Sequence, residues 1–160
     1  MSVSRQRNEG FTLIELLVVI AIIGLLSTLA VVALNSARQR SRDAKRVSDI
    51  RQIQTAVELG YSETGGYPTA SSITLGSANA GTLCNNGGAS TFQADSTGCS
   101  TIYMGLVPSN PTPNGAAYVY DSASNSGIYS ITFNLESATG QLGAGDNCAN
   151  QNGITTASTC

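Results

Sequence analysis

Apolar residues crowd into one stretch of the chain and then thin out into periodic stripes. Residues 11–34 (FTLIELLVVIAIIGLLSTLAVVAL) are apolar almost without interruption, and the run from Leu16 to Ala37 carries no charge. As a helix that charge-free run would be about 30 Å long, the thickness of a bilayer core. No proline stands before Pro68, and Gly24 is the only glycine between Phe11 and Leu59. The pattern therefore predicts one unbroken helix from Phe11 to about Leu59. Its first half is apolar on every side. Its second half places Val47, Ile50, Ile53, Val57 and Tyr61 on one stripe at helical spacing, with Arg46, Asp49, Arg51, Gln52 and Glu58 on the opposite, solvated face. Gly60, then Gly65-Gly66 and Pro68, are the stop signals.

Beyond the helix the period changes to two. Ala117–Asp121 (AYVYD) and Ile128–Leu135 (IYSITFNL) alternate apolar and polar residues and flank a hairpin-like turn at 122–127. Ile102–Val107 reads as a further strand ending at Pro108. Tyr118, Tyr120, Tyr129 and Phe133 alternate with polar residues, as side chains packing one face of a sheet do. The stretches 76–101 and 137–160, rich in Ser, Thr, Asn and Gly, read as long loops, and Asn86-Gly87, Asn114-Gly115 and Asn152-Gly153 as turns. The expected fold class is α+β: a long N-terminal helix whose second half packs on a small antiparallel sheet.

Charge sharpens this picture. Only 11% of the 160 residues are charged, the formal net charge is −2, and there is no histidine. That excludes a Ser-His-Asp triad, a Cys-His pair and His-ligated metals. Arg38, Arg40, Arg42, Lys45, Arg46 and Arg51 are clustered, and no Lys or Arg follows Arg51. These bases read either as a solvated helix face or as partners for acidic domains of neighbouring subunits. The acidic remainder gives no footprint for nucleic acid. Asp95, Asp121, Glu136 and Asp146 are scattered, and no set of residues is arranged for catalysis, so the chain does not read as an enzyme.

The specific signal is Gly10-Phe11-Thr12-Leu13-Ile14-Glu15 and the apolar run to Leu26. Over residues 5–26 this closely resembles the type IV pilin and type II secretion pseudopilin family. Asp49–Ala56 and Gly65-Gly66-Tyr67-Pro68 resemble the helix end and loop start of the major pseudopilin and its relatives. The resemblance implies a pilin-like fold and cleavage by a prepilin peptidase after Gly10, which would also N-methylate the exposed Phe11. It implies that Glu15 acts in assembly by meeting the α-amine of a neighbouring subunit. A carboxylate at the centre of a bilayer costs about 3 kcal/mol without a partner, and the freed amine is cationic near neutral pH. The alternative for Glu15 is a place at the headgroup level, where it favours the helix N-terminus. The implied partners are the peptidase/methylase, copies of the chain and other pilin-like subunits, an inner-membrane assembly platform and membrane lipid. The proline that major subunits often carry near the position of Val32 is absent here.

The implied organisation is a leader at 1–10, a membrane and assembly segment at 11–37, and an extracytoplasmic domain at 38–160, with the N-terminus cytoplasmic. The flanking charges count the other way, two bases before the span and five after it within 38–46. The four cysteines favour an external domain. They allow three pairings, of which Cys84–Cys99 with Cys148–Cys160 staples the two long stretches. The family's major pseudopilins have a calcium-binding loop near their C-terminal end. Asp146, Asn147 and Asn150 are the ligands the chain could offer there, although one carboxylate is few for such a site. The reading is a structural filament subunit; the alternative is a single-span anchored binding module that does not polymerise.

Overall fold

The computed structural model describes residues 10–123 and 127–156. Helix α1 runs without a break over Leu13–Thr64, 52 residues. It continues past Leu59 because Gly60 is not a stop. Gly60 is buried, and a Cβ there would lie 2.5 Å from the Ser90 Oγ, so the glycine admits a close packing contact. The true end is Gly65, which takes the left-handed conformation at φ +73° and donates its N–H to the Tyr61 carbonyl at 2.8 Å.

The chain divides after Arg38 into two compact units. In the first, every described residue is exposed, from Gly10 through Arg38. The helix is long and apolar enough to cross a membrane. Within the apolar run Ser27 and Thr28 donate their hydroxyls to the carbonyls of Ile23 and Leu25, which leaves neither hydroxyl bare on an apolar surface.

The second unit holds the rest of α1 and eight strands: β1 Ala70–Thr74, β2 Thr82–Asn86, β3 Ala89–Gln93, β4 Thr101–Met104, β5 Val119–Ser122, β6 Ser130–Leu135, β7 Gly145–Asn150 and β8 Gly153–Thr155. They form a five-stranded sheet in the order β1-β5-β6-β7-β8 and a three-stranded sheet in the order β3-β2-β4, antiparallel throughout. The α+β layout is the expected one, and β4, β5 and β6 fall within a few residues of the predicted strands. The predicted turn between β5 and β6 lies partly outside the described residues. Ile50, Ile53, Ala56 and Val57 of α1 share one core with Tyr118, Tyr120, Ile131 and Phe133 of the large sheet. The alternating aromatics are core, as the strand pattern predicts.

Three expectations are corrected. There are two sheets, not one. The stretches read as long loops hold β2, β3, β7 and β8. β7 (GDNCAN) has no apolar alternation, yet it lies between β6 and β8, which pair its backbone on both sides, and its small residues Cys148 and Ala149 are buried with Asn147. The face of α1 expected to be solvated is also not uniformly so: Arg46 is fully buried and Asp49 is 6% exposed.

Candidate functional site

The N-terminal motif is built on the first turn of α1. Thr12 caps the helix, and Glu15 stands three residues on. The Thr12 N–H and hydroxyl both donate to Glu15 Oε2, at 2.8 and 2.7 Å, while the Glu15 N–H donates to the Thr12 hydroxyl at 3.3 Å. This reciprocal capping box satisfies backbone donors that the first turn cannot satisfy itself. It gives Glu15 local partners without any cation. Phe11, immediately before the cap, is 92% exposed, and Gly10 is open on all sides, with nothing within 4 Å of a built Cβ. Gly10 and Phe11 are thus accessible, next to a helix start fixed by Thr12 and Glu15. The first nine residues of the expected leader lie outside the described residues.

A second polar constellation lies in the second unit, and sequence reading missed it. Arg46 donates through Nη1 to Asp43 at 2.7 Å and to Glu136 at 2.8 Å, through Nε to Asn110 at 2.7 Å, and through Nη2 to the carbonyls of Pro111 and Asn114. Arg42 forms a two-pronged pair with Glu136 at 2.7 and 2.6 Å. Asp43 Oδ1, which meets Arg46, also accepts the Glu136 N–H, and Oδ2 accepts the Ser137 N–H and hydroxyl. A helical turn, the end of β6 and the Asn110–Asn114 loop are therefore tied through one buried guanidinium. Burial works to raise the Asp43 pKa, but the Glu136 N–H, the Ser137 hydroxyl and Arg46 outweigh it and hold it below the ordinary aspartate value. The Arg42 bond holds the Glu136 carboxyl far below the usual glutamate range. Asp49, nearby and buried, accepts the Tyr118 hydroxyl at 3.2 Å, and burial pushes its pKa upward against the pull of Tyr118 and Lys45. The available signals were the Asp43–Arg46 spacing of three and the place of Arg46 four and seven residues before Ile50 and Ile53; Glu136, 90 residues on, gave none. The basic cluster is accordingly not all solvated or free for neighbours, since Arg42 and Arg46 are engaged within the chain.

Cys84 and Cys99 form a disulfide, as the loop-stapling pairing requires. It joins β2 to the segment before β4. Cys148 is buried in β7 and is not a free thiol; its expected partner Cys160 lies outside the described residues. The residues considered for calcium do not converge. Asp146 is exposed and accepts from Asn134, whereas Asn147 is fully buried and donates to the carbonyls of Gly143 and Gly145. Asn150 accepts the N–H of Asn152. They lie along a strand, so Asp146 and Asn147 face opposite ways. Among the described residues no three His, Cys, Asp or Glu side chains gather.

Residues 5–31 match the family model described as the prokaryotic N-terminal methylation motif. The chain is 37% identical over 65 residues to the type II secretion system core protein G of Aeromonas hydrophila, a stretch that covers 41% of this chain and 46% of that one. It is 38% identical over 63 residues to the same-named protein of Escherichia coli, covering 39% and 43%. It is 39% identical over 69 residues to the type IV major pilin protein PilA of Myxococcus xanthus, covering 42% and 31%. In each case the match spans less than half the length of the relative. No solved structure matches significantly. With the methylation motif on the capped start of α1 and relatives from both branches, the chain is similar over its N-terminal two fifths to the type IV pilins and type II secretion pseudopilins.

Proposed function

We propose that the chain is the precursor of a structural subunit of a pilus-like or pseudopilus filament. A prepilin peptidase cuts it after Gly10 and methylates the new N-terminal Phe11. The subunit is stored in the membrane through residues 11–37, with the domain from 38 onward outside the cytoplasm. It is then drawn into a filament by an inner-membrane platform, together with copies of itself and other pilin-like subunits. The role is structural and not enzymatic, as in these families.

The observation that carries this reading is the first half of α1. It begins with the methylation motif and exposes every described residue. Such a surface must be covered by lipid or by other helices. Lateral packing of like helices covers it and leaves the outer units on the outside, and head-to-tail contacts leave the assembly open-ended. Glu15 supports the step between the two states. Its capping partners satisfy it locally, while its charge remains for the α-amine of a neighbour once Phe11 is freed.

The test is the non-reducing intact mass of protein sheared from native cells. A mass beginning at Phe11 with one added methyl, in a filamentous fraction, is the expected result. A full-length, unmethylated protein confined to the membrane overturns the reading. Glu15→Ala distinguishes a filament subunit from an anchored binding module, because only the former loses its assembled form.

A further inference from the structure

Six bases follow the charge-free run of α1, and the fold sorts them. Arg42 and Arg46 are engaged inside the chain by Glu136 and Asp43. Arg38, Arg40, Lys45 and Arg51 are exposed, and their side chains make no ion pair or hydrogen bond among the described residues. The two acids of the same stretch, Asp43 and Asp49, are buried. The exposed acids of α1, Glu58 and Glu63, come only in its last two turns. The exposed charge of the helix therefore changes from positive beside the apolar run to negative at the far end. Along one helix Arg38 and Arg40 stand within about 5 Å of the end of that run, Lys45 about 12 Å from it and Arg51 about 21 Å. A run of this length fills the bilayer core, and the headgroup layer beyond it is about 5–8 Å thick. Arg38 and Arg40 thus fall at headgroup depth. Lys45 falls just outside, within a screening length of about 8–10 Å, and Arg51 falls beyond it.

We propose that Arg38, Arg40 and Lys45 form a docking surface for anionic phospholipid headgroups, which hold the stored chain at the membrane surface. The inference rests on the membrane-stored state of the reading above and adds to it the class of lipid and the residues that meet it. Arg38 and Arg40 can each lay an apolar stem along the lipid and turn a forked guanidinium onto phosphate oxygens. Lys45 adds attraction from just above the phosphates. The pairing of Arg42 and Arg46 with Glu136 and Asp43 leaves these three as the free charge beside the run. Residues 39–160 carry eight acids against five bases, so the rest of that unit is repelled by a negative surface and the contact is confined to this end of the helix. A neighbouring copy stored at the same depth is a poorer occupant, since its exposed α1 acids stand about 20–27 Å further along than Lys45 and Arg40. Leaving the membrane gives the headgroup contacts up, so they favour the stored state over extraction.

The experiment reconstitutes the full chain in phosphatidylcholine vesicles. Spin-labelled phosphatidylglycerol and spin-labelled phosphatidylcholine are compared for the fraction immobilised beside the protein. The unchanged chain should prefer the anionic lipid. Arg38→Gln, Arg40→Gln and Lys45→Gln made together should lower that preference about fivefold, the factor one base near the surface supplies. Arg51→Gln should leave it unchanged. Arg5 and Arg7, on the other side of the apolar run, are the same in every variant and cancel in the comparison. Arg38→Lys with Arg40→Lys should keep the preference, because charge at that depth is what attracts the headgroup. About 1 M salt, with a screening length of about 3 Å, should weaken it. A triple variant that keeps the preference of the unchanged chain overturns the docking. So does an equal loss in Arg51→Gln, since charge anywhere on the helix would then serve as well. Both of these outcomes leave membrane storage and the filament reading standing. A chain that does not enter the vesicles refutes the membrane-stored state and the docking with it.

Discussion

Arg46 shows how much one side chain can decide. It is fully buried, and its guanidinium touches two carboxylates, an amide and two carbonyls. Replacing it by Met leaves Asp43 and Glu136 without their shared cation in a buried place, so the variant should lose about 3–5 kcal/mol of stability, read from denaturant unfolding of the full chain in detergent. Asp43 and Glu136 both titrate lower in the folded chain than unfolded. As pH falls the unfolded chain takes up protons first. The stability these two groups contribute is therefore complete above about pH 4.5, the unfolded carboxylate range, and is lost as pH drops from there through the folded values. Glu136→Gln should flatten that acid slope in a melting series from pH 7 to 3; an unchanged slope would assign it to other groups. Asp49 works in the opposite sense, since its folded pKa is raised. It costs stability when ionised, and Asp49→Asn should raise the melting temperature at pH 7 more than at pH 4. A helical wheel does show part of this: Arg46 stands four residues before Ile50 and seven before Ile53, on the apolar side of α1, and Asp49 borders it. What it cannot show is the arrival of Glu136, Asn110 and Tyr118 from remote segments as their partners.

Among the elements, the helix was the most legible and its end the least. A proline-free apolar run followed by a stripe at helical spacing leaves little choice of structure. Gly60 carried a double meaning, because glycine both ends helices and permits close contact, and only the position of Ser90 separates the two. Gly60→Ala should cost about 1–3 kcal/mol by overpacking, since its Cβ would sit 2.5 Å from the Ser90 Oγ and 3.1 Å from the Tyr103 ring. Adding Ser90→Ala should recover part of that loss in a double-mutant thermal melt. A loss that Ser90→Ala does not relieve would assign the cost to Tyr103 instead. Strands β2, β3, β7 and β8 escaped the sequence for another reason. β2 and β7 pair with neighbours on either side, β3 with β2 through a hairpin closed at Gly87 and Gly88, both at positive φ, and β8 with β7 through a short turn at 151–152. Apolar alternation was therefore not needed to hold them. The Cys84–Cys99 bridge staples this polar sheet across a separation of 15 residues. In the chain-entropy account it contributes about 3 kcal/mol, so Cys84→Ser with Cys99→Ser should lower the unfolding midpoint accordingly.

At the scale of the whole molecule the two units obey different solvents. The segment through Arg38 has no buried residue among those described, and its stability depends on lipid or on other helices. The unit from Gln39 onward has its own apolar core, the Arg46 constellation and a disulfide. Those are the ingredients of an independently folding domain. The fragment 39–160 should therefore be soluble without detergent, where the full chain requires it. It carries five bases against eight acids, which favours dispersal over association. It should unfold in one cooperative step, because helix, large sheet and small sheet share one set of core residues. Arg46→Met should shift the fragment by the same amount as the full chain, since every partner of Arg46 lies beyond residue 38. Circular dichroism melts of fragment and full chain, each with and without the substitution, measure both quantities. A fragment that aggregates, or one whose response to Arg46→Met differs from that of the full chain, would show that the apolar half of α1 supports the outer unit as well as anchoring it. Equal responses would mean that anchoring and folding are separate tasks. The apolar half would then be free to exchange lipid for neighbouring helices without loosening the domain it carries.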